Sequence, residues 1–107
     1  MEPNITFVFG TNATQTATTL TITKADLPGL TPSSTNTAES LLVGILLRAK
    51  TQLTPANQET NSEQSITIAD GYTPSYAIRN SIQYRQDDIT VSLQKPAGSL
   101  AIDPDDY

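Results

Sequence analysis

Hydrophobic and polar positions alternate in short runs along most of the chain. Ile5, Phe7 and Phe9 alternate with Thr6 and Val8, which predicts a strand ending at Gly10. After a polar connection over 11–15, Leu20 and Ile22 face away from Thr19, Thr21 and Thr23. That pattern predicts a second strand over 18–23, paired with the first as a hairpin. Pro28 and Gly29 suit the middle of a type II turn, where glycine accepts the positive φ. Residues 31–36 have the composition of a loop.

The period changes near Asn36. Asn36 is placed to cap a helix, and Glu39 three residues later completes a capping-box spacing. The helix is predicted over 38–53, and Pro55 stops it. At 100° per residue, Ala38, Leu41, Leu42, Ile45, Leu46, Ala49 and Leu53 fill an arc of about 140°, a wide core-facing stripe. Val43 and Leu47 lie outside it. They form a second apolar pair, four residues apart on the opposite side. Gly44 beside them would let another backbone approach closely, at about 1 kcal/mol of helix propensity.

Residues 54–64 read as a polar loop. Ile66 and Ile68 mark a short strand that closes at Asp70 and Gly71. Pro74 opens the longest alternating run. Tyr76, Ile78, Ile82 and Tyr84 are expected on one face, and Ser75, Arg79, Ser81, Gln83 and Arg85 on the other. A turn over 86–88 then leads to Ile89, Val91 and Leu93, predicting a second hairpin with the preceding run. Leu100 and Ile102 lead into an acidic end, 103–107. The sum is a single domain of α+β class, ordered β-β-α-β-β-β. Its five antiparallel strands carry one amphipathic helix on an open sheet or on a small barrel.

Composition narrows the chemistry. The 107 residues carry a net charge of −5 and contain neither Cys nor His. Disulfides, thiol chemistry, Cys-based zinc sites and the commonest general base are therefore excluded. An acidic chain is a poor partner for a bare phosphate backbone, so nucleic-acid binding is not favoured. Thr (17), Ser (9), Gln (7) and Asn (6) are as numerous as the hydrophobic residues. Interleaved with aliphatic side chains, they fit a sheet with one wet face. Residues 1–4 lack a positive n-region and 5–9 are too short for a signal-peptide core, so no signal peptide is expected, and the longest apolar run, 41–47, is too short to span a bilayer. Synthesis in the cytoplasm is the expectation.

No pattern in the sequence supports an enzyme or a cofactor. Asp87 and Asp88 are adjacent and would point to opposite faces of a strand, unsuited to a carboxylate pair. Asp103, Asp105 and Asp106 lack the glycine and distal glutamate of an EF-hand loop. Glycine-rich phosphate motifs are absent, and Lys24, Lys50 and Lys95 stand in polar surroundings. Two surfaces remain. The first is the apolar set Val43, Gly44 and Leu47, with Tyr107 as an aromatic anchor; either a loop or another subunit covers it. The second is a polar face with Arg79, Gln83 and Arg85, whose guanidinium groups could hold a small anion or RNA. The first leads to the expectation of a non-enzymatic assembly subunit. It would act as a homo-oligomer or inside a larger particle, and the composition suits a virion or phage-tail component.

Overall fold

The computed structural model describes residues 1–71, 73–96 and 101–107. Its class is α+β, with one main helix and six short strands among the described residues. The strands form three separate two-stranded antiparallel sheets, not the expected five-stranded one.

The first element overturns the alternating reading of the N-terminus. Residues Ile5–Phe9 form a short helix, α1. Asn4 caps it, its side-chain oxygen accepting from the Phe7 amide at 2.8 Å and from the Thr6 hydroxyl at 2.8 Å. At the other end, Arg48 Nη2 donates to the carbonyls of Thr6 (3.2 Å) and Phe7 (3.5 Å). A side-chain cap and a cation at the carbonyl end favour the helix at both termini, and this overrides the high but context-dependent β propensity of ITFVF. The chain leaves α1 through Gly10, at φ 122°. The expected strand over 18–23 shrinks to β2 (Leu20–Thr21), paired with β1 (Thr14–Gln15).

The principal helix α2 spans Ala38–Gln52, close to expectation, but its cap is Thr37. The Thr37 hydroxyl accepts from the Ser40 amide at 3.1 Å. Asn36 instead ties down the preceding loop, accepting from the Ser33 amide and donating to the Thr31 carbonyl. The expected polar loop over 54–64 contains a further helix, α3 (Pro55–Thr60). Thr54 caps it by accepting from the Asn57 amide at 3.0 Å, and Pro55 occupies its first turn. The proline that ends α2 thus begins α3, where a missing N–H costs nothing.

Strand β3 (Ile66–Asp70) pairs with β6 (Ile89–Leu93) in the register Ile66 to Leu93 through Asp70 to Ile89. This ladder is extended by the Gly71 amide on the Asp88 carbonyl and the Gln94 amide on the Ser65 carbonyl, both 2.8 Å. On its outer edge, the Ile68 amide donates to the Leu53 carbonyl at 2.8 Å, which fastens the sheet to the end of α2. The core lies at this junction: Ala49, Leu53 and Ile68, with Phe7, Val8, Ile66 and Ile89 against them.

Between the two strands the chain makes an excursion. β4 (Ser75–Arg79) pairs with β5 (Ile82–Gln86), not with 89–93. Asn80 and Ser81 form the two-residue turn, with φ 50° and 64°. Positive φ at both positions is what a tight hairpin turn needs for its twist to match the strands. From Gly71 opposite Asp88 to Ser75 opposite Gln86, the first strand advances four residues and the second two. The ladder therefore breaks there, and the hairpin stands off the body.

Candidate assembly surface

The molecule is more open than its length requires. A compact chain of 107 residues has a radius of gyration of about 13 Å, whereas here it is 16.1 Å. The accessible surface is 7994 Å², against about 5,800 Å² for a compact monomer of 11.5 kDa. The excess is roughly 2,200 Å². Among the described residues, no side chain is fully buried.

The helix α2 shows where part of this surface lies. Its C-terminal half is covered by α1 and β3, and Ala49 is buried. Its N-terminal half is not. Ala38 and Leu42, expected in the core-facing stripe, are exposed because no sheet extends beneath them. On the other side of α2, Gly44 is buried under Leu27, whose side chain would stand 3.3 Å from an added Cβ. The expectation of an open Gly44 is therefore corrected: a neighbouring segment of the same chain lies on it. That segment is the short 3-10 turn Lys24–Asp26 and the tight turn after it, which carries Leu27. The Pro28–Gly29 turn forms as expected, with Gly29 at φ 77° and the Leu30 amide on the Leu27 carbonyl.

The cover stops short of the second apolar pair. Val43 is 52% exposed and Leu47 is half-buried. With Pro28, Leu30 and Ser40 they line a groove of about 240 Å³ whose floor is Gly44. Glu39, one turn before Val43 on the same side of α2, is exposed and makes no ion pair among the described residues.

Tyr107 lies elsewhere. It is half-buried in a second groove of about 330 Å³, with Val8, Phe9, Leu53, Ile66 and Pro104. The Lys95 ammonium sits 6.0 Å from its ring centre and also pairs with Asp106 at 3.0 Å. The acidic end thus folds back on the body, and Tyr107 and Val43 do not share a surface.

The arginine face is also rearranged. The Asn80–Ser81 turn reverses the chain within the run that was expected to be one strand. Tyr76 stands opposite Arg85 and Ile78 opposite Gln83, so these four share one face. Arg79 stands opposite Ile82 on the other face, its guanidinium 4.3 Å from the Tyr84 ring centre. Gln83 and Arg85 remain together, and Arg79 is separated from them. Arg85 is in turn paired with Asp87 at 3.1 Å.

The hairpin is what sequence reasoning missed. Tyr76 is 70% and Ile78 77% exposed, and Ile82 and Tyr84 are exposed as well. A signal was present in Ile78-Arg79-Asn80-Ser81-Ile82: an Asn, which tolerates positive φ, between two alternating runs. Other candidates have ordinary partners. Asp88 accepts from the Gln86 amide group, Lys24 donates to the Ser33 carbonyl and Lys50 pairs with Asp70. Among the described residues, no three acidic side chains converge as a metal site would require. Among the described residues, no helix is long and apolar enough to cross a membrane. Comparison with family models, with curated proteins and with solved structures finds no match, so the functional reading rests on the chain's own geometry.

Proposed function

We propose that this chain is a non-enzymatic assembly subunit that works as a homo-oligomer or within a larger particle. One observation carries the reading: each chain leaves roughly 2,200 Å² more surface in water than a compact monomer of its size. A standard interface takes about 800 Å² from each partner, and obligate ones take 1,000 Å² or more. The excess is of the size that an obligate interface, or two standard ones, would cover. Val43 and Leu47 form one contact area, where burial of apolar surface supplies the driving force. The sheet edges contribute backbone pairing, since three two-stranded sheets leave unpaired N–H and C=O groups along their rims. A Thr- and Gln-rich chain of this kind suits a virion or phage-tail component, a placement supported by composition alone.

The test is solution mass by light scattering across concentration, on the natural chain and on Val43→Glu with Leu47→Glu. The natural chain is expected to form a stable oligomer and the double variant a folded monomer. A natural chain that stays monomeric at high concentration would refute the reading. A double variant that keeps the oligomer's mass would remove Val43 and Leu47 from the contact. The separation of Arg79 from Arg85 weighs against an anion or RNA site on the hairpin.

A further inference from the structure

We infer that the β4–β5 hairpin is an arm that docks onto a second copy of this chain, seating Tyr76 and Ile78 in the groove of Leu30, Val43 and Leu47. The inference rests on the assembly reading and names the partner surface.

The hairpin cannot be explained by the fold of one chain. Isolated two-stranded hairpins are marginal in water unless a face is covered. Here each strand is five residues long and the main contacts of each are with the other. Tyr76 and Ile78 project from one face with most of their surface in water. Large apolar side chains displayed together in this way mark interaction sites, and tyrosine is enriched among the residues that dominate binding.

Charge selects the occupant. Residues 75–86 carry Arg79 and Arg85 and no acidic side chain, which is a charge of +2. The remainder of the chain then carries −7, the difference from the total of −5. A cationic arm and an anionic body of the same sequence attract each other across copies. Two arms pairing edge to edge would instead bring like charges together, which is unfavourable. The contact is therefore arm to body. On the body, the α2 groove offers exposed Val43 and, beside it, the unpaired Glu39 as a partner for Arg85, which shares the face of Tyr76 and Ile78 and would exchange the exposed Asp87 for it. Such a contact is heterologous, so copies add head to tail until a ring closes or a filament grows.

Complementation between two variants tests this pairing. Ile78→Glu disables the arm and leaves the groove, whereas Val43→Glu disables the groove and leaves the arm. Both positions are more than half exposed, so each variant should fold, and circular dichroism checks that it does. Should Ile78→Glu lose its cooperative melt, Ile78→Ser replaces it. Each variant alone is expected to be monomeric, with association weakened about 100-fold or more. An equimolar mixture is expected to give a one-to-one heterodimer, joined by the single intact pair of surfaces. Variants that remain monomeric when mixed, beside a natural chain that assembles, would overturn the arm-to-groove pairing and leave the assembly reading standing. An Ile78→Glu chain that retains the natural mass would overturn it equally. A natural chain that is itself monomeric would end both.

Discussion

Gln64 is the only buried polar residue among those described, at 3% exposure. Its side-chain amide donates to the Thr54 carbonyl at 3.1 Å and to the Ile66 carbonyl at 2.9 Å. It thereby ties the first residue of β3 to the cap of α3. Replacing it with Leu keeps similar bulk and removes both donors. The Thr54 carbonyl retains the Gln58 amide at 3.1 Å, so its loss is the net value of one hydrogen bond, about 1 kcal/mol. Ile66 stands opposite Leu93 between the Ser65–Gln94 bond and the rest of the ladder, so its carbonyl turns away from β6. Losing the amide there costs a further 1–2 kcal/mol or so. The apolar gain of Leu offsets part of this, leaving about 2 kcal/mol. For a domain of this size that is a fall in Tm on the order of 10 °C. Thermal unfolding followed by circular dichroism measures it. An unchanged or higher Tm for Gln64→Leu would show that the amide does not hold this corner, and that the helix–sheet junction rests on its apolar contacts alone.

Four further outcomes follow from the same geometry. Gly10→Ala forces a Cβ to within 2.5 Å of the Asp26 Cβ at a φ of 122°, so a loss of about 3 kcal/mol or more in denaturant unfolding is expected; a loss under 1 kcal/mol would mean the turn simply relaxes. Leu53→Ala opens the small core around Ala49 and Ile68 and should cost about 3 kcal/mol, read from the urea midpoint at constant slope. Ser81→Gly relieves a left-handed residue at φ 64° and should stabilise the hairpin by about 0.5 kcal/mol, seen as roughly twofold slower amide exchange confined to β4 and β5. Small-angle scattering from the monomeric Val43→Glu, Leu47→Glu chain should give a radius near the 16.1 Å observed here; a value near the compact figure of about 13 Å would mean that the hairpin folds back when no partner holds it.

The sequence made α2 and the strand positions around Ile66–Asp70 and Ile89–Leu93 legible, because long or strictly periodic apolar runs carry their own signal. It misjudged elements whose choice depends on a neighbour. ITFVF alternates like a strand, yet it folds as a helix because Asn4 and Arg48 occupy its two ends. Residues 54–64 read as a loop because polarity hid a capped helix, with the amide side chains of Gln58 within it and Gln64 beyond it bonding inward. Pairing was the harder question. Ile89–Leu93 has the alternation to pair with either 75–85 or 66–70, and only the positive-φ turn at Asn80–Ser81 decides the outcome. Once that turn closes β4 on β5, β6 is left to β3.

That one decision at Asn80 and Ser81 also shapes the candidate surface. A single strand over 75–85 would have buried Tyr76, Ile78, Ile82 and Tyr84 together and gathered the arginines on the wet face. The turn reverses the chain after Arg79, so the two halves of the apolar set go to opposite faces of a narrow ribbon. A two-stranded ribbon cannot build a core on either face, and the break between Gly71 and Ser75 carries it off the body. The same residues that would have formed the interior of a five-stranded domain therefore stand in water, and Leu42 on α2 loses the sheet that would have covered its side of the helix. Apolar surface displaced from the interior of one chain is what the proposed assembly would cover between chains. The openness of the fold and the proposed assembly are in this sense a single consequence of where the hairpin turns.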